Sequence, residues 1–139
     1  MKYYYFVLLA FLLLSSCDSN GEIVESNTQA VLDHHWETFV SNDLEGVMED
    51  YTEESVLVTP NATYTGLEEI MGNFINAFNA FPNQTAKLTL NQSIVIQDLG
   101  YILWEADAPE FNLTYATDTF IIRNGKILRQ TYAGVRESK

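Results

Sequence analysis

The chain is short of cysteine, of histidine and of positive charge. Its 139 residues include one Cys and two His, and 7 Lys and Arg stand against 19 Asp and Glu. A single Cys forbids an internal disulfide, so a folded domain must stand on its core alone. The formal net charge of −12 argues against nucleic acid, because so few cations cannot neutralise many phosphates. It argues equally against adsorption to anionic lipid through protein charge. There is no P-loop, no Gly-rich dinucleotide turn and no G-x-S-x-G elbow, and no cofactor is expected. Apolar material is plentiful: 47% of residues are hydrophobic and 13% aromatic. That supports a real core, and the length suits one domain rather than two.

A long hydrophobic run is also missing. The apolar stretch from Tyr3 to Leu14 falls short of the roughly 20 residues a membrane span needs. It follows Lys2 and precedes small residues, the layout of a secretory signal. The stretch L-S-S-C, Leu14 to Cys17, resembles the bacterial lipobox. The resemblance implies cleavage before Cys17, lipid on that residue, and anchoring to a membrane of the bacterial cell envelope. Several acyl chains hold stably where one is marginal. Residues 1–16 are therefore expected as a lipoprotein signal peptide. Residues 17–27 are expected as a lipidated Cys with a polar tether, and residues 28–136 as the exported domain.

Within that domain, Thr28 to Ser41 has helical spacing. Leu32, His35, Trp36 and Phe39 fall on one arc, and Asp33 and Glu37 on the other. Asn27 or Thr28 can cap its start. Asp43 is placed to cap a second short helix carrying Leu44, Val47, Met48 and Tyr51. Ser55 to Thr59 reads as a strand stopped by Pro60. A third helix spans Leu67 to Phe81, with Thr65 as its candidate cap and Leu67, Ile70, Met71, Phe74 and Phe78 as its apolar stripe. The period then changes to two. Lys87–Gln97, Tyr101–Ala108, Phe111–Arg123 and Lys126–Val135 read as strands, and Asn124-Gly125 is a strong hairpin signal. Helices packed on one face of an antiparallel meander make an α+β fold.

Four pieces in order then carry a resemblance: N-D-L-E-G-V-M-E-D-Y, T-E-E-S-V-L-V-T-P, Y-T-G-L-E-E-I-M-G-N-F and D-T-F-I-I-R-N-G-K-I-L-R-Q. Together they resemble the SnoaL-like branch of the nuclear transport factor 2-like superfamily, from about Thr28 to Arg136. The resemblance implies a cone: three N-terminal helices packed on a curved, mainly antiparallel sheet. Function within that superfamily ranges from isomerases, cyclases, dehydratases and hydrolases to binding modules, so the site must decide. Carried over from the steroid isomerases, the oxyanion-donor position falls on His35 and the carboxylic-acid position on Asp118. The general-base position falls on Thr59, which cannot serve at neutral pH. Steroid-type isomerisation is thereby disfavoured.

A His35–Asp118 pair facing one cavity is the candidate catalytic site, since a carboxylate can orient an imidazole for acid–base work. The plainer reading is a core histidine satisfied by a nearby acceptor. His34 is assigned to the solvent face with Asp33 and Glu37. Adjacent helical residues diverge by about 100°, so the two histidines are not expected to share a metal, and no metal site is expected. Expected pocket-lining residues are Trp36, Phe39, Thr59, Phe74, Trp104, Tyr115 and Tyr132. Three functions remain open. The domain binds a small apolar or aromatic molecule without established catalysis; it is a cofactor-independent lyase, isomerase or hydrolase; or it is a module that forms a homodimer.

Overall fold

The computed structural model describes residues 19–139, with side chains from Val24 onward. The expected signal peptide (1–16) and the lipidation residue Cys17 lie outside the described residues. The described elements are α1 (Ser19–Ser41), α2 (Leu44–Glu49), β1 (Val56–Val58), β2 (Thr63–Thr65), α3 (Gly66–Ala80), β3 (Lys87–Ile96), β4 (Leu99–Asp107), β5 (Phe111–Arg123) and β6 (Lys126–Ser138).

α1 begins at Ser19, so residues 19–27 are helical where a tether was expected. Two contacts pin this end of the helix to the β3–β4 turn. The Glu25 carboxylate accepts from Gln97 N at 3.0 Å, and the Thr28 hydroxyl donates to Gln97 O at 2.7 Å. Thr28 is therefore a buried mid-helix residue, not a cap. The helix ends at Asn42, whose φ of 57° is left-handed; Asn tolerates that better than most residues. The Asn42 amide donates to Phe81 O at 3.1 Å, which ties the end of α1 to the end of α3. Asp43 caps α2 as expected, accepting from Gly46 N at 2.9 Å. At α3 the Thr65 hydroxyl makes no capping bond. Carboxylates do that work: Glu69 accepts from Thr65 N and Glu53 from Leu67 N.

The six strands run in the order β2-β1-β6-β5-β4-β3. All neighbours are antiparallel except β1 beside β6. Asn124 and Gly125 (φ 52° and 72°) form the tight β5–β6 turn, whose positive φ values match the twist of the strands. The helices cover one face of the sheet. Leu32, Val47, Leu57, Ile70, Phe120 and Ile127 are almost wholly buried between the layers, each worth roughly 1.5–3 kcal/mol of transfer free energy. Met71, expected on the apolar stripe of α3, is exposed; Ile70 and Phe74 carry that contact.

One irregularity decides which residues of β5 face the helices. Leu113 pairs with Arg136 and Tyr115 with Val135, so β5 has one residue more than β6 between these pairs. The same extra residue appears against β4, where Trp104 pairs with Ala116 and Ala106 with Leu113. This bulge at Thr114 shifts the alternation by one. Phe111 and Leu113 face inward before it, and Ala116, Asp118, Phe120 and Ile122 after it.

Candidate functional site

The bend of the sheet away from α1 and α3 leaves a cavity of 510 Å³. Its walls are aromatic: Trp36 and Phe39 from α1, Phe74 from α3, Phe81 after it, Trp104 from β4 and Phe111 from β5. These rings meet edge to face, with Trp104 5.9 Å from Trp36 and 5.8 Å from both Phe39 and Phe81, centroid to centroid. Such contacts rigidify a wall beyond what area burial alone gives. Polar groups interrupt this lining. His35, Asp118, Gln130 and Tyr132 lie among the rings, with Thr59, Asn61, Tyr64, Asn73 and Arg136 also on the lining. Arg136 holds its guanidinium 3.8 Å over the Phe111 ring, a cation–π contact.

Asp118 is held from the sheet side. The Trp104 indole donates to its Oδ2 at 2.8 Å and the Gln130 amide to its Oδ1 at 2.8 Å. Tyr51 donates its hydroxyl to Gln130 Oε1 and so extends the chain inward. Burial pushes the Asp118 carboxyl above its ordinary value. The Trp104 and Gln130 hydrogen bonds and the nearby His35 pull the other way without cancelling it. Burial also raises the Tyr51 hydroxyl well above its usual value, helped by the charges of Asp118 and Asp50. Tyr132 is raised by the same effects of burial and Asp118, with Arg136 opposing.

His35 also lines the cavity, 4% exposed, with its ring edge-on to Tyr51, Phe74 and Phe120. Its carboxylate partner is Asp50, not Asp118. His35 Nδ1 lies 3.4 Å from Asp50 Oδ2, and neither atom has a hydrogen bond of good geometry. His34 Nδ1 contacts the other oxygen, Asp50 Oδ1, at 2.9 Å. His34 is at the rim and His35 on the cavity wall. They diverge along the helix, but Asp50 at the end of α2 spans the gap. His34 does not partner Glu37, and its side chain is 40% exposed. Both nitrogens face one carboxylate rather than a common point. Among the described residues no group of three or more His, Cys, Asp or Glu is placed to hold a metal ion.

His35 and Asp118 therefore share one cavity without hydrogen-bonding each other. Trp36, Phe39, Thr59, Phe74, Trp104 and Tyr132 line it as expected. Tyr115 does not: it is 48% exposed on the outer face, because the bulge at Thr114 reverses its side. There it lies beside Tyr101 and raises the Tyr101 hydroxyl. Thr59 occupies the wall, but its hydroxyl is spent on the turn. It donates to Ala62 O and accepts from Ala62 N, both at 3.1 Å. Asp50 and Gln130 went unnoticed in the sequence. Gln130 was findable, since it alternates with Tyr132 and Ile127 on either side of a second bulge, at Leu128. Asp50 carries no local signal.

Known structures share this architecture. A candidate SnoaL-like polyketide cyclase from Jannaschia sp. superposes with a TM-score of 0.66 at 11% identity, over 80% of this chain and 90% of that one. An NTF2-like protein of unknown function from Burkholderia xenovorans gives 0.68 at 15% identity, over 81% and 85%. A candidate ketosteroid isomerase from Kribbella flavida gives 0.68 at 13%, over 83% and 82%. No family model matches the sequence, and no curated protein matches it. The described domain has the SnoaL-like, NTF2-like fold.

Proposed function

We propose that the domain binds a small molecule with an apolar or aromatic body inside the cavity. The observation that carries this reading is the cavity: 510 Å³, walled by aromatic rings and set with polar groups. Its size and lining suit small-molecule pockets in general. Both tryptophans of the chain line it, so intrinsic fluorescence reports directly on occupancy. Titration with a series of phenols and naphthols should quench or shift that emission saturably. Ala77→Trp, which fills the cavity from α3, should abolish the response. A flat titration across the series, or unchanged binding in Ala77→Trp, sinks the reading.

A second reading is a cofactor-independent lyase, isomerase or hydrolase using His35 and Asp118. Support comes from His35 and Asp118, two buried groups able to take or give a proton, which line the same cavity, as general acid–base catalysis requires. Several similar structures are candidate cyclases or isomerases. If His35→Ala and Asp118→Asn change neither affinity nor any turnover, the pair is not catalytic.

A third reading adds self-association. Ile94, Ile96, Tyr115 and Val135 are exposed, and the strand pairings put all four on the face away from the helices. A strict monomer in sedimentation at micromolar concentration removes this reading. The L-S-S-C stretch supports lipid anchoring in the cell envelope. Cys17→Ala should then release the protein from membranes, and its persistence there ends that reading.

A further inference from the structure

His34, Asp50 and His35 form a continuous line from solvent to the cavity. We propose that these three residues are a proton relay serving whatever group occupies the cavity, with His34 as its solvent terminal. The inference rests on reading the cavity as a ligand site with His35 as its acid–base group.

The exposures run in the right order. The His34 side chain is 40% exposed and the Asp50 side chain 6%; that of His35 is 5% exposed and lines the cavity. The contacts are made by matching atoms. Each imidazole turns Nδ1 toward a different oxygen of one carboxylate, at 2.9 Å and 3.4 Å. With Nδ1 turned toward Asp50, Nε2 is the remaining nitrogen of a ring that lines the cavity. The longer contact joins the two buried side-chain atoms without a hydrogen-bond partner among the described residues, His35 Nδ1 and Asp50 Oδ2. Unpartnered buried polar atoms are costly. The two face each other at 3.4 Å, so a small turn of either group closes the contact into a hydrogen bond, and imidazole has one nitrogen to receive and one to release.

The step balances. His34 Nδ1 gives its proton to Asp50 Oδ1, and His34 Nε2 takes one from water. A half-turn of the Asp50 carboxyl about Cβ–Cγ carries the received proton to the side that faces His35 Nδ1. His35 Nδ1 takes it as a base in the cavity takes the proton from His35 Nε2. Every group passes on one proton and receives one, and nothing is oxidised or reduced.

The other buried carboxylate offers no such exit. Both Asp118 oxygens are held by N–H donors from Trp104 and Gln130, and the chain beyond Gln130 stops at the buried Tyr51 hydroxyl. A ligand filling the cavity closes the direct route to water, and the relay stays open behind it.

The test uses 4-nitrophenol, whose phenolate absorbs visibly, as the cavity probe. A stopped-flow pH drop in weak buffer follows reprotonation of the bound phenolate, while tryptophan fluorescence follows its retention. His34→Asn keeps a donor for Asp50 Oδ1 and cannot carry a proton through. It should slow reprotonation by at least about tenfold while the Kd stays within about twofold. Added imidazole should restore the rate in His34→Gly, a rescue that a merely structural His34 would not show. Binding with an unchanged reprotonation rate in His34→Asn overturns the relay alone. Failure of 4-nitrophenol and its phenol analogues to bind overturns the cavity reading itself, and the relay with it.

Discussion

Asp50 and Asp118 are buried to the same degree, 5% exposed, but the regions around them are built differently. Asp118 stands in the sheet, and rigid elements supply both its donors: an indole on β4 and an amide on β6. Asp50 stands where α2 ends, between two imidazoles of α1. Trp104 and Gln130 hold Asp118 through N–H groups that keep their protons. The groups around Asp50 exchange theirs. Equal burial thus gives one carboxylate that fixes geometry and one that is suited to moving charge. The difference lies in the partners, not in solvent access.

The largest break in this comparison should come from Asp118→Ala. It strands the Trp104 N–H and the Gln130 amide in a dry environment, at about 3 kcal/mol by urea denaturation. Asp50→Ala should cost less, about 2 kcal/mol. One of its contacts is already long, and the other ends on a histidine that water can reach. Reversing that order would mean Asp50, not Asp118, is the structural carboxylate.

Asp118→Asn should cost only about 1 kcal/mol. A flip of the Gln130 amide lets it accept from the introduced side-chain amide, and the Tyr51 hydroxyl can turn from donor to acceptor. The same variant isolates a pH effect. The Asp118 carboxyl is raised above 3.8. Between that ordinary value and the raised one, the folded protein holds a proton that the unfolded chain has released. Stability therefore falls as pH rises through the window. Denaturation midpoints of wild type and Asp118→Asn should diverge across that range, with the wild type losing ground toward neutrality. Parallel curves would show that burial leaves Asp118 unshifted.

The smallest effect should come from Tyr115→Ser. Tyr115 touches no part of the cavity, so ligand affinity should be unchanged and stability should move by about 0.5 kcal/mol or less. A clear loss of affinity would place Tyr115 inside after all.

The order of elements was legible because apolar periodicity and turn residues are local signals. The Asn124-Gly125 turn and the Asp43 cap are each visible in a few residues. His35, Asp118 and Thr59 were legible through their place in a family pattern, and Trp36, Phe39, Phe74, Trp104 and Tyr132 through periodicity. The failures are non-local. Tyr115 was misplaced because a bulge at Thr114 reverses strand parity, and nothing around Thr114 announces it. Residues 19–27 were read as a tether from their polarity. What orders the end of that helix is a turn about seventy residues away, through Gln97. Asp50 was missed because its meaning depends on how α2 folds back beside α1. That fold-back also brings a buried carboxylate to His34, whose side chain stays 40% exposed.

The most direct test follows the two histidine rings by nitrogen NMR as 4-nitrophenol fills the cavity, with His34→Asn separating the signals. His35 Nε2 should shift strongly on binding, while both Nδ1 resonances keep the signature of contact with Asp50. A spectrum in which the probe binds but His35 Nε2 does not respond would contradict the assignment of His35 as the group that meets the ligand.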